Sequence, residues 1–170
     1  LRPVGRLDKD SEGLLLMTDD GAFINLLTHP SGGVGKLYRV TVNPRATEEQ
    51  IIQMSSGVVL DDGVKTQPCV IHVVVDEPGR TVLEITLHEG RNRQIRRMCS
   101  AVGLQVVRLR RTAEGPVKLG MLQPGEYREL KKSEINALRN AAQRKGRSPE
   151  VSASAAPRRP GPLRPRKEQD

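Results

Sequence analysis

Thr81-Val82-Leu83-Glu84-Ile85-Thr86-Leu87-His88, then Glu89-Gly90-Arg91-Asn92, then Arg93-Gln94-Ile95-Arg96-Arg97-Met98, is the stretch on which the fold turns. In its first part Leu83, Ile85 and Leu87 point one way and Val82, Glu84 and Thr86 the other, the period of a half-buried strand. The period then changes. Ile95, Met98 and Val102 recur at helical spacing, with Asn92 placed to cap the helix and Gly103 to stop it. Arg93, Arg96 and Arg97 fall off the apolar stripe, so this strand-turn-helix unit presents a row of guanidinium groups beside a sheet.

Working outward, Val58 to Leu60, the Asp61-Asp62-Gly63 turn, Pro68 to Val75 and the Glu77-Pro78-Gly79 turn lead into that strand as successive antiparallel strands. Leu37 to Val42 reads as another strand. Thr47 with Gln50 has the form of a capping box opening a helix through Met54, which Gly57 ends. Near the start, Leu14 to Thr18 reads as a short strand closed by Asp19-Asp20-Gly21. Phe23, Leu26 and Leu27 then fall at helical spacing until Pro30. Downstream, Gln105 to Leu109 and Glu126 to Leu130 read as strands, and Ser133 caps a final helix through Leu138 and beyond. The expected class is α+β, a mixed, mainly antiparallel sheet flanked by a few helices, in one domain over residues 1 to 143. Residues 144 to 170, rich in Pro, Arg, Ser and Ala, lack the apolar side chains that offset ordering entropy, so a disordered basic tail is expected there.

A chain of 170 residues with 36% apolar residues suits one modest core. The longest apolar runs, Leu14 to Met17 and Val73 to Val75, are too short to cross a bilayer, and Leu1-Arg2-Pro3-Val4 has no secretory pattern. A cytoplasmic location without membrane contact is the default. The net charge is +8, of which the segment from Arg144 onward supplies 8 basic and 3 acidic residues, leaving 20 and 17 for the rest. Within that part the cations concentrate at Arg91 to Arg97 and Arg108 to Arg111, which fits a polyanion partner or, more simply, a solvated basic face. No helix-turn-helix, zinc-finger or basic-zipper pattern favours DNA. Cys69 and Cys99 sit in apolar patterns as buried thiols, and His29, His72 and His88 lack ligand spacing, so neither metal nor cofactor is expected.

Gly5-Arg6-Leu7-Asp8-Lys9-Asp10-Ser11-Glu12-Gly13-Leu14-Leu15-Leu16-Met17-Thr18-Asp19-Asp20-Gly21 resembles the active-site signature of the pseudouridine synthases, most closely the ribosomal-RNA (RsuA/RluB-like) branch. The resemblance continues in order through Thr28-His29-Pro30, Lys36-Leu37-Tyr38, Gly57 to Gly63, His88 to Met98, Arg108-Leu109, Gly115-Pro116 and Pro124-Gly125, and covers residues 1 to about 140. It implies isomerisation of uridine within ribosomal RNA, 16S or 23S, without a cofactor and by a monomer. It implies Asp8 as the essential carboxylate, Arg96 of the Gln-Ile-Arg motif as the cation keeping it ionised, and Tyr38 against the target base. Arg6, Leu7 and Leu109 would line the pocket. The carboxylate suits attack on the sugar or the base, or removal of the 2′ proton, and the residues alone leave these routes open. Without the resemblance, Asp8 reads as a turn residue, Tyr38 as half-buried packing and Leu109 as core.

Lys36, Arg91, Arg93, Arg97, Arg110 and Arg111 are the expected phosphate contacts, offsetting the cost of extruding a uridine from folded RNA. With only three aromatic residues, Phe23, Tyr38 and Tyr127, a stacking platform for single strands is not expected. Family members carry a small RNA-binding domain and an Asn-Lys-Pro-x-Gly strand ahead of this signature. Neither occurs in these residues, so the chain is expected to be a fragment of a longer protein; were it complete, its sheet would lack a strand. The competing function is a noncatalytic RNA-binding or ribosome-assembly module that keeps the fold.

Overall fold

The computed structural model describes residues 1–29 and 33–144. The tail expected from residue 144 therefore lies outside the described residues except for Arg144, which closes the last helix. Pro30, expected to stop the first helix, also lies outside them.

The α+β class holds. One sheet has the order β2 (Glu12–Gly13), β7 (Gln105–Glu114), β4 (Lys36–Asn43), β6 (Arg80–Leu87) and β5 (Val70–Glu77), with β8 (Val117–Lys118) paired to the end of β7. Only the β2–β7 pairing is parallel. A separate two-stranded ribbon joins β1 (Arg2–Pro3) to β3 (Met17–Thr18). Among the described residues four helices accompany the strands: α1 (Gly21–Thr28), α2 (Glu48–Ser56), α3 (Gln94–Ala101) and α4 (Lys132–Arg144).

The alternation read in residues 81 to 88 becomes burial of the Leu83 face, but at the start of the strand Thr81 and Val82 are buried too, so the other face is not simply exposed. Leu83 and Ile85 are fully buried, Leu87 nearly so, and Val40 and Val42 of β4 meet them from the adjacent strand. Ile95, Met98 and Cys99 of α3 close over this face, with Met54, Leu60, Leu104 and Leu109 completing the core. At about 1.5–3 kcal/mol for each large apolar side chain buried, this contact fixes α3 to the sheet. A second cluster, Val4, Leu14, Leu16, Phe23, Leu27, Val34, Val117, Leu119, Leu138 and Ala142, joins α1 and α4 to the chain start and β8. Asp20 caps α1 by accepting from the Phe23 N–H, and the Thr47–Gln50 capping box is present with Gly57 ending α2.

Five expectations are corrected. Leu14 to Thr18 is not one strand: Glu12–Gly13 pairs with β7, Met17–Thr18 pairs with β1, and Leu14 and Leu16 are buried in the second cluster. Val58 to Leu60 forms only an isolated bridge, Val59 to Lys65, because Thr66 satisfies both polar groups of Val58. Glu126 to Leu130 forms no ladder; it follows the Pro124-Gly125 turn without a partner strand and is tied down by Arg128 forked onto Glu134. Asn92 does not cap α3. Arg93 holds that position at φ 51 without a side-chain cap, while Gln94, 4% exposed, folds back to accept from the Arg91 N–H and donate to Glu89. Likewise α4 begins one residue before Ser133.

Candidate active site

The Gly-Arg-Leu-Asp motif lies on the loop between β1 and β2. Gly5 turns it at φ 75, a conformation that favours glycine, and the Ser11 N–H donates to the Asp8 carbonyl at 2.9 Å. Asp8 is half-buried. Among the described residues its carboxylate makes no hydrogen bond or salt bridge, and its charge acts on Arg93 across space. A half-buried acid left open beside a cation is available to a ligand.

The tip of this loop is tied to α3. Arg93 donates through both terminal nitrogens to the two Asp10 oxygens, each at 3.0 Å. Arg96 donates from Nη2 to the Asp10 carbonyl at 2.9 Å, and its Nε lies 3.4 Å from Asp10 Oδ2. That Nε contact is an ion pair without a directed hydrogen bond, so the buried Nε keeps an unused donor. The Arg93 hydrogen bonds, aided by the charge of Arg96, hold the Asp10 carboxyl below its ordinary range. Arg93 adopts its left-handed backbone where it makes this fork, a conformation costing a non-glycine residue about 1–2 kcal/mol.

The helix bearing Arg96 lies against the loop bearing Asp8, as the motifs implied, but the acid Arg96 holds is Asp10. Sequence reasoning passed over Asp10, although it lies in the same motif and faces two guanidinium groups. Tyr38, half-buried on β4, stands opposite Ile85 of β6 and Arg111 of β7. Leu109, 5% exposed, packs in the core opposite Val40. Leu7 is half-buried and Arg6 exposed on the Asp8 loop.

The expected phosphate contacts divide. Arg111 is 2% exposed, which removes it from the surface set: its Nε donates to the Leu14 carbonyl at 2.9 Å and its Nη1 reaches the Arg6 carbonyl at 3.5 Å. Arg97 is held by Asp61 and Asp62, at 2.7 and 2.9 Å, and by the Asn92 carbonyl, so its charge is already balanced. Arg91 lies 3.4 Å from Glu89 and Arg93 is engaged with Asp10. Lys36 opens β4 opposite Leu87 and Glu114. Arg110, on the opposite sheet face from Leu109, lines a shallow recess with Arg39, Thr41 and Arg108, of which Arg108 pairs with Glu12. Arg39 was not singled out from sequence, yet it lies directly across from Arg110. Like charges at such a position destabilise a sheet by about 0.2–1 kcal/mol, a cost that an anion relieves.

Arg96 Nε, Arg111 Nη2 and Glu114 Oε2 are buried without a hydrogen-bond partner among the described residues. Such groups cost about 1–3 kcal/mol each, and two of the three belong to arginines gripping the Asp8 loop. Burial raises the Glu114 carboxyl, against the opposing charges of Arg111 and Lys36. Cys99 is buried as expected and Cys69 only half-buried; burial pushes the Cys69 thiol up to about 11 and Cys99 to about 12.

A family profile described as RNA pseudouridylate synthase matches residues 1–101. An uncharacterized RNA pseudouridine synthase of Aquifex aeolicus is 43% identical over 136 residues, 80% of this chain and 54% of that protein. Ribosomal large subunit pseudouridine synthase B of Bacillus subtilis is 39% identical over 142 residues, 82% of this chain and 58% of that protein. A crystal structure of a pseudouridylate synthase superposes with a TM-score of 0.75 at 36% identity, covering 80% of this chain and 58% of that one. The chain belongs to the RNA pseudouridylate synthase family, and it spans about half the length of the curated relatives it matches.

Proposed function

We propose that the chain carries the catalytic part of an enzyme isomerising uridine to pseudouridine in ribosomal RNA, with Asp8 as the essential carboxylate. The observation that carries this reading is the state of the Asp8 loop: its tip is locked to α3 by Arg93 and Arg96 while Asp8 itself remains unpaired. In the reaction the N1–C1′ bond breaks, the base turns, C5 bonds to C1′, C5 loses its proton and N1 gains one. No atom is lost overall. Asp8 acts on the sugar or base as a nucleophile, or as the base that takes the 2′ proton. Arg93, whose charge acts on Asp8 across space, and Arg96 hold the loop that presents the carboxylate to the bound nucleotide.

Tyr38 is the candidate for packing on the uracil ring and for receiving the C5 proton on its hydroxyl. Leu7 and Leu109 form the apolar side of the pocket, with Arg6 at its mouth. Arg6, Lys36, Arg39 and Arg110 contact phosphate, Arg91 and Arg97 join them where a phosphate oxygen replaces a carboxylate partner, and Arg93 keeps its fork on Asp10. These contacts offset the few kcal/mol, about the value for unstacking one nucleotide, needed to extrude the uridine. Ribosomal RNA is the partner, chosen because Bacillus subtilis ribosomal large subunit pseudouridine synthase B is among the relatives, and the setting is a cytoplasmic monomer.

The test is incubation of the chain with unmodified ribosomal RNA, followed by mapping of pseudouridine by mass spectrometry. New pseudouridine at one or a few fixed positions is expected. Salt-sensitive RNA binding without isomerisation under any condition would replace this reading with the noncatalytic RNA-binding or ribosome-assembly module.

A further inference from the structure

The segment that carries Asp8 closes at one residue of the sheet. Arg111 Nε donates to the Leu14 carbonyl at 2.9 Å, Nη1 reaches the Arg6 carbonyl at 3.5 Å, and the Arg111 carbonyl accepts the Leu14 N–H at 2.9 Å. Gly13 packs against the same residue so closely that a Cβ there would stand 2.2 Å from the Arg111 carbonyl oxygen. A single guanidinium therefore joins two carbonyls that bracket Asp8, six residues on one side and two on the other.

A rival account makes Arg111 one half of a buried ion pair with Glu114, three positions along β7. Geometry speaks against it. Both residues are almost wholly buried, yet no salt bridge joins them, and Arg111 Nη2 and Glu114 Oε2 each lack a hydrogen-bond partner. The guanidinium is turned instead toward the Asp8 loop. Arg111 also stands directly across from Tyr38, so the residue that grips the Asp8 loop is the strand neighbour of Tyr38. We infer that Arg111 is a positioning residue for the isomerisation, fixing both ends of the loop from Arg6 to Leu14 so that Asp8 is held in register with Tyr38. It acts through backbone carbonyls and touches no reacting atom; the inference rests on the reading of Asp8 given above.

The experiment is single-turnover conversion of an unmodified ribosomal-RNA transcript, with RNA affinity and thermal unfolding measured alongside, for Arg111→Lys, Arg111→Gln, Glu114→Gln and Asp8→Asn. Arg111→Lys keeps the buried charge but loses the fork. It is expected to remain folded, to bind RNA within about twofold of the parent and to convert it at least about tenfold more slowly, with Arg111→Gln slower by about a hundredfold. Glu114→Gln is expected to keep the parent rate. Parent rates in the folded Arg111 variants would overturn the inference. So would an equal loss in Glu114→Gln, which would make the pair structural, or failure of both Arg111 variants to fold. Conversion by Asp8→Asn at the parent rate would sink the reading of Asp8 itself, whereas its inactivity beside active Arg111 variants sinks the Arg111 role alone.

Discussion

Replacing Gly13 by alanine adds one methyl group where the Asp8 loop meets β7. The residue has φ 117, a region in which a non-glycine residue costs about 1–3 kcal/mol. The new Cβ would lie 2.2 Å from the Arg111 carbonyl oxygen and 2.7 Å from its nitrogen, so backbone must move by roughly an ångström to reach ordinary contact. That movement breaks the Leu14 N–H to Arg111 bond and the charged Arg111 to Leu14 bond, worth about 1 and about 1.5–3 kcal/mol. With partial relaxation the net loss is about 3 kcal/mol, which lowers the melting temperature of a domain this size by about 10 °C. Because the displaced segment begins five residues after Asp8, single-turnover conversion of RNA falls by about a hundredfold below the melting transition. Thermal unfolding followed by circular dichroism, with a quenched single-turnover assay at 20 to 25 °C, reads both effects. A Gly13→Ala protein that melts within about 2 °C of the parent and converts RNA at the parent rate would refute the reasoning that this contact sets the loop.

Three further outcomes follow from the packing and the charges. Met98 is fully buried between α3 and the sheet, so Met98→Ala lowers stability by about 2–5 kcal/mol, read as a reduced urea midpoint at unchanged slope. The Glu114 carboxyl is raised by burial, so its contribution to stability is present below the unfolded value of about 4.5 and lost as pH rises through the folded one. Glu114→Gln, which mimics the protonated acid, should therefore melt with the parent near pH 4 and above it at pH 8; a parent that gains on the variant as pH rises contradicts this. Arg110→Gln should weaken RNA binding and reduce the slope of log affinity against log salt by about 0.7–0.9, the share of one phosphate, and an unchanged slope would remove Arg110 from the contact surface.

The strand-to-helix switch in residues 81 to 98 was legible because the apolar period changes from two in the strand to that of a helix, although Thr81 and Val82 are buried beside Leu83 and so depart from strict alternation. Leu83 and Ile85 face the same core as Ile95 and Met98. The capping box at Thr47 was legible for the same reason: its bonds are local. The start of α3 was not, since its first turn is satisfied by Gln94 and Glu89 through side-chain contacts that spacing does not reveal. Glu126 to Leu130 alternates like a strand but lacks a neighbour, and alternation without a partner strand makes no ladder. Arg111 was misread because charge was weighed above position. Two residues from Leu109, it belongs to the inward face of β7, and the carbonyls of Arg6 and Leu14 supply its side-chain hydrogen bonds among the described residues. At the site itself, the motifs placed the loop and the helix together, while the choice of Asp10 as the acid gripped by Arg93 and Arg96 depended on where the loop tip folds.

The central claim is most directly tested by comparing the parent with Asp8→Asn on one preparation of unmodified ribosomal RNA, scoring pseudouridine by mass spectrometry after each protein has been shown to fold and to bind. The account predicts conversion by the parent and none by the variant at equal RNA affinity. Equal pseudouridine yields from the two proteins would contradict it.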